Sequence, residues 1–255
     1  MSHSNKKEID TIIIEAYWDA MTKTYDLTTG SLAKHFMRLA VPAAIGMVFS
    51  TLYNVVDVFF AGMIGTDAQA GLAISFQAFF IFVTIGFGLS AAMTALVGNA
   101  IGAKKTTDAS VIAAQGIGFS IVTSVLLIVA ARFIGPHLLA IISTEGAYRT
   151  AGEAYFMILI LSLPGFIMGY GLNGILQAQG DTVSMQYALI GAFFANIGLN
   201  PLMMFGIPGI WGGLGFDGIA AATVISQTGV MVYIGFRLMR SGLLDAKTLN
   251  NILPN

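Results

Sequence analysis

Asp57 is the one charged group in an otherwise mostly apolar run from Leu39 to Thr66, within the local order Tyr53-Asn54-Val55-Val56-Asp57-Val58-Phe59-Phe60. Moving a carboxyl group into lipid costs about 2.5–3.5 kcal/mol on insertion scales. Such a residue faces a water-filled cavity or a partner and handles an ion or a proton, unless it only hydrogen-bonds a neighbouring helix. Asn54 lies three positions earlier and shares its helix face, and Tyr53 borders that face. Together they can offer a carboxylate, an amide and a phenol to one cavity. That set can attract a cation or exchange a proton.

A second polar group lies far along the chain, in Asn196-Ile197-Gly198-Leu199-Asn200-Pro201. The two Asn are four apart and therefore on one face. Pro201 is expected to kink its helix, since it removes one backbone hydrogen bond, and it frees a carbonyl for a ligand, water or neighbour. The same amides can equally serve as glue between helices. Pro164, within Leu161-Ser162-Leu163-Pro164-Gly165, predicts a kink. Gln77, Asn173, Thr223 and Gln227 join Tyr53 as candidate lining of a cavity. The hydroxyls of Thr223, Ser226 and Thr228 can also simply satisfy backbone carbonyls.

Enzyme chemistry finds no support. His3, His35 and His137 show no metal-ligand spacing, and the chain has no cysteine. There is no phosphate loop of the Walker type. No cofactor and no metal is expected, apart from Na⁺ near Asp57. The basic residues form no patch for a nucleic acid.

The elements that must carry these residues are membrane helices. The chain of 255 residues is 56% hydrophobic and only 10% charged, against about 25% charged in soluble domains; its mean hydropathy is +0.80. A membrane helix needs about 20 apolar residues. The charges divide the sequence into six such segments, about 39–64, 70–98, 109–131, 154–176, 182–206 and 218–236. They are long and lack a period-2 pattern, so they read as helices rather than barrel strands. The stretch Gly135–Thr144 is too short to span and is expected at the interface. The expected fold class is therefore all-α: a polytopic membrane protein with six transmembrane helices in a lipid bilayer.

With six spans both termini share a side. Of the twelve Lys and Arg, only Arg132 and Arg149 fall on the opposite side. The positive-inside rule places both termini in the cytoplasm. Residues 1–30 read as a cytoplasmic tail with no cleavable signal peptide, in which Ile9–Ala20 could form a short amphipathic helix. Residues 31–240 read as the membrane domain, and 241–255 as a cytoplasmic linker.

Six pieces in order carry a family resemblance. They are Leu39-Ala40-Val41-Pro42, then Tyr53-Asn54-Val55-Val56-Asp57 with Ala61-Gly62, then Val97-Gly98-Asn99-Ala100-Ile101-Gly102-Ala103. Gln179-Gly180-Asp181-Thr182, Asn196-Ile197-Gly198-Leu199-Asn200-Pro201 and Gly218-Ile219-Ala220-Ala221-Ala222-Thr223 follow. Over about 31–240 the chain resembles the N-terminal half of a MATE-type multidrug exporter, in the wider group that includes lipid-linked oligosaccharide flippases. The resemblance implies export of cationic amphipathic small molecules from the cell (plasma) membrane, driven by inward flow of H⁺ or Na⁺. It implies that Asp57 is a coupling site and that Asn196 joins its network. Asn200 matches a position that is often Asp, which leaves Asp57 as the only acid within the spans.

Members of that family have about twelve helices in two lobes, with the substrate path between them. A six-helix chain is expected to be a fragment, or to pair with a copy of itself or with a separate second lobe, because alternating access needs one lobe to move against another. Two other readings stand beside the antiporter: a truncated, non-transporting half-protein, and a flippase for a lipid-linked substrate.

Overall fold

The computed structural model describes residues 32–244. The tail 1–30, its Ile9–Ala20 segment and most of the linker 241–255 lie outside the described residues. Seven α-helices follow one another: α1 (Leu32–Ile64), α2 (Thr66–Gly102), α3 (Thr106–Ile142), α4 (Ala147–Leu159), α5 (Leu163–Ala178), α6 (Ser184–Phe205) and α7 (Asp217–Arg240). A single 3-10 turn, Ile160–Ser162, joins α4 to α5, so these two make one membrane-length unit. Among the described residues, six segments are long and apolar enough to cross a membrane, and there are no strands beyond an isolated Ile207–Trp211 bridge. The protein is an all-α, multi-pass membrane protein.

Two expectations about proline meet different outcomes. The break near Pro164 takes the form of the 3-10 turn just before it, with Pro164 in the first turn of α5, where its missing N–H costs nothing. Pro201 sits inside α6, which continues to Phe205. The stretch 135–144 is not a separate element: α3 runs through Pro136 to Ile142.

Helix α2 lies at the centre, packed on α3, α4 and α5, while α7 packs on α4, α5 and α6, and α1 leans mainly on α6. Small residues make these approaches possible, as membrane helices require. At Gly71 an added Cβ would stand 2.8 Å from the Tyr148 carbonyl oxygen, and Ser75 Oγ donates to the Gly152 carbonyl at 2.8 Å. At Gly174 an added Cβ would stand 2.3 Å from the Ser90 carbonyl oxygen. The buried core between these helices holds Phe79, Tyr155, Phe156, Leu163, Ile167 and Ile175. The apolar side chains of the outer faces, such as Phe133 and Leu126, are exposed, as lipid-facing positions are.

Helices α6 and α7 form an antiparallel pair closed at one end by a tight loop. Leu214 N–H donates to Met203 O at 2.8 Å and Gly215 N–H to Met204 O at 3.0 Å. Gly206 and Gly213 take positive φ (74° and 75°) where each faces the other's backbone, so only glycine fits both the dihedral and the space.

Candidate functional site

Asp57 is fully buried, at the meeting of α1, α6 and α7. Its Oδ1 accepts from Asn196 Nδ2 at 3.0 Å and from Asn200 Nδ2 at 2.8 Å. Asn200 Nδ2 also donates to Asn196 Oδ1 at 3.0 Å. Asp57 Oδ2 lies 3.4 Å from Thr223 Oγ1, which is itself 3.2 Å from the Ile219 carbonyl. The i, i+4 spacing of Asn196 and Asn200 sets both amides on one face of α6, one turn apart. Thr223 enters from the second turn of α7.

The single Thr223 proton cannot serve both acceptors at once. With Asp57 ionised, its carboxylate takes three donors. With Asp57 protonated, its O–H donates to Thr223 Oγ1 and the Thr223 proton goes to the Ile219 carbonyl. Both protonation states are therefore hydrogen-bonded, which a buried carboxyl needs if it is to change state without losing several kcal/mol.

Four more polar atoms gather here. The hydroxyls of Tyr53 and Tyr155, Ser226 Oγ and Asn200 Oδ1 are buried without a hydrogen-bond partner, and the Tyr53 hydroxyl faces Thr223, Ser226 and Asn196. An unsatisfied buried group costs about 1–3 kcal/mol, so native proteins seldom collect four in one place. Oxygen donors of this kind suit a hard cation or a short run of water. Rotation of either Asn amide by 180° exchanges N–H donors for a carbonyl oxygen. The same side chains can thus bond a bare carboxylate or turn oxygens toward a cation. Among the described residues, no group of three or more His, Cys, Asp or Glu could hold a metal.

Beside the network lies a cavity of about 60 Å³, lined by Ser50, Tyr53, Asn54, Phe76, Phe166, Tyr170, Leu189, Ala192, Thr223 and Gln227. Drug-sized ligands occupy pockets of about 300–1,000 Å³, so this space has room for water or an ion but not for a drug. Its walls join aromatic rings to the amides of Asn54 and Gln227.

The placement separates the expected residues. Asp57, Asn196, Asn200 and Thr223 come together, and Tyr53 and Gln227 reach the cavity. Asn54 does not join the carboxyl: it is exposed, and its amide donates to Ser50 O at 3.0 Å along its own helix. One face of a helix is broad, and here the 60° between positions three apart turns Asp57 toward α6 and α7 but leaves Asn54 at the open side of the cavity. Gln77 is exposed, because its neighbours Ala78 and Phe79 take the core-facing positions of α2. Asn173 is buried on α5 but does not line the cavity. Ser226 was legible only as a hydroxyl that could satisfy a backbone carbonyl, and Tyr155 carried no usable sequence signal. Tyr155 lies in an aromatic cluster, stacked on Phe216 at 4.9 Å, that reads as core.

The family model described as MatE matches residues 42–202. A probable multidrug resistance protein NorM of Thermotoga maritima is 26% identical over 223 residues, 85% of this chain and 48% of that protein. A FAD transporter of Shewanella oneidensis is 24% identical over 232 residues, 88% of this chain and 51% of its own length. The fold matches an outward-facing multidrug resistance MATE transporter with a TM-score of 0.74 at 22% identity, covering 88% of this chain and 51% of that one. It matches a MOP superfamily transporter from Pyrococcus furiosus equally well, at 0.74 and 23% identity, again over 88% of this chain and 51% of that one. These relatives are transporters rather than enzymes, and the chain spans about half their length. By the family model, which covers well over half of it, the chain belongs to the MatE family.

Proposed function

We propose that this chain is one lobe of a secondary antiporter that exports cationic amphipathic compounds in exchange for H⁺ or Na⁺, with the Asp57 network as the coupling site. The observation that carries the reading is a lone, fully buried carboxyl group held by Asn196, Asn200 and Thr223 from two other helices. Here a turn of α6 and the start of α7 converge on one carboxyl, beside unbonded oxygens that can receive an ion.

Transport by this reading needs a second six-helix lobe, supplied by a copy of the chain or by a separate half, so that the cavity beside Tyr53 and Gln227 opens between two lobes. The membrane is the plasma membrane, and the positive-inside bias places both termini and the Lys104–Lys105 turn in the cytoplasm. Residues 31–240 are the lobe, 1–30 a tail and 241–255 a linker. A relative is called a FAD transporter, but among the described residues no Lys or Arg lines the cavity, and the acid Asp57 lies beside it, next to Thr223. Where the cavity opens between two lobes, that charge favours a cationic cargo over an anionic dinucleotide.

The test is ethidium efflux from a pump-deficient bacterium expressing the chain, alone and with a second lobe, beside Asp57→Asn at equal membrane levels. In parallel, the purified chain is titrated with Na⁺ and with acid while the carboxyl C=O infrared band is followed. Efflux that Asp57→Asn abolishes, with a band that responds to either ion, is expected. A carboxyl that responds to neither ion overturns the coupling role.

A further inference from the structure

At the far end of the α6–α7 pair lies a second buried polar group that the ion reading does not use. Gly180, at φ 89°, ends the α5 turn, and Asp181 N–H donates back to Leu176 O at 3.0 Å. Asp181 then caps α6: its Oδ1 accepts the N–H groups of Val183 at 3.2 Å and Ser184 at 2.9 Å. Its Oδ2 accepts Ser184 Oγ at 2.6 Å and Arg237 Nη2 at 3.0 Å, while Arg237 Nε donates to Ser184 Oγ at 2.8 Å. The ring is closed, and the Arg237 side chain is only 5% exposed and that of Asp181 13%.

We infer that Asp181, Ser184 and Arg237 form a positioning clasp that sets the register of α6 against α7, and so aligns Asn196 and Asn200 with Thr223. The functional consequence rests on the ion-site reading; the geometric one does not.

The argument is one of leverage along two helices. At 1.5 Å per residue, Ser184 stands about 18 Å from Asn196, and Arg237 about 21 Å from Thr223. The other end of the pair is pinned by the Leu214 and Gly215 hydrogen bonds and by Gly218, where an added Cβ would stand 2.5 Å from the Met203 carbonyl carbon. The ion network therefore lies between two fixed ends. Asp57 hydrogen-bonds α1 to both α6 and α7, so α1 docks there on ligands whose spacing the α6–α7 pair must supply. Arg237 is suited to the task because its planar fork bonds two groups at fixed angles; a Lys at this position would reach Asp181 and Ser184 through one nitrogen on a flexible stem, without that fixed geometry.

The chain has no cysteine, which makes spin labelling clean. Nitroxides at Ile197→Cys on α6 and Ile225→Cys on α7, both partly exposed, report the spacing at the level of the network. Arg237→Gln is expected to shift or broaden that distance by about 1.5–5 Å, the rise of one to three residues, with Arg237→Lys and Ser184→Ala intermediate. The same variants are expected to weaken the Na⁺ or acid response of the carboxyl band by about three- to tenfold, the worth of one misplaced hydrogen bond. An unchanged distance overturns the clasp, as does a moved distance with an unchanged ion response. Should Arg237→Gln fail to fold, Arg237→Lys and Ser184→Ala decide by the same distances. If the unmodified chain responds to neither ion, the ion reading fails and the distances alone judge the clasp.

Discussion

Asn200→Asp is the sharpest probe of the Asp57 network. Asn200 Nδ2 donates to Asp57 Oδ1 at 2.8 Å, so the substitution replaces the shortest bond in the network with two facing oxygens. Two unit charges 2.8 Å apart repel by about 6 kcal/mol at an effective dielectric of 20. A whole domain is stable by only about 5–15 kcal/mol, so the pair will not stay doubly charged. It will hold one positive charge more than the parent, as a proton shared between the carboxyls or as a metal cation. The two cases are separable. If the site accepts Na⁺, a carboxylate in place of an amide oxygen should tighten Na⁺ binding at least tenfold, about 1.4 kcal/mol of the repulsion relieved. If it accepts only H⁺, the purified variant should show a protonated-carboxyl C=O band that Na⁺ does not remove. The assay is radioactive sodium binding beside infrared titration of the same sample. A well-folded variant with neither tighter Na⁺ binding nor a retained carboxyl band would mean that residue 200 does not face Asp57, and the network would have to be redrawn.

Other outcomes follow from the same geometry. Thr223→Val keeps the volume but removes the hydroxyl that alternates between Asp57 and Ile219 O; the ion response should weaken by up to about tenfold with little loss of melting temperature. Gly174→Ala puts a methyl 2.3 Å from the Ser90 carbonyl oxygen, a backbone atom that cannot step aside, so it should destabilise the chain by about 1–3 kcal/mol in detergent melts, whereas Gly191→Ala, with nothing within 4 Å, should not. Burial opposes the charge of Asp181, but bonds from the Ser184 hydroxyl and amide, Arg237 and the Val183 amide outweigh it and hold its carboxyl below the ordinary value of 3.8. A lowered native value means a stabilising contribution that is full above the unfolded carboxylate range and lost as pH falls through the native value. Melting of the unmodified chain should therefore fall more steeply than that of Asp181→Asn below about pH 4, and parallel acid profiles would contradict the clasp.

The sequence made the membrane class legible because charge is expensive in lipid, so gaps between charges mark helices. Asp57 stood out for the same reason, and the spacing of Asn196 and Asn200 announced a shared face. What stayed hidden depends on which face meets which neighbour. Asn54 and Asp57 satisfy one spacing rule, yet tertiary packing gives them different surroundings. Gln77 is polar within a span and points outward, since nothing in a single sequence fixes the rotation of α2. Tyr155 looks like any core aromatic until Asp57 is brought to it from about a hundred residues away. Arg237 was legible as a charge that bounds the last span and helps orient the chain, and its pairing with Asp181 across 56 positions has no local signature.

One consequence concerns how a site with a single acid can respond to an ion at all. In a network of two acids, one carboxyl can hold the charge that the other releases. Here the partners of Asp57 are neutral, and the site must absorb a change in charge by reorienting dipoles. Each of its partners can do so. Thr223 can turn its proton between two acceptors, and each Asn can rotate its amide. Such reorientation is worth little unless the groups are held in bonding geometry in both states, because a hydrogen bond weakens steeply as its angle falls below about 120°. A one-acid site is therefore more dependent on helix register than a two-acid site, where the charge itself enforces proximity. That gives a reason for α6 and α7 to be fixed at both ends, by glycine-mediated backbone contact at one and by the Asp181–Arg237 pair at the other, while Asp57 bonds α1 to both.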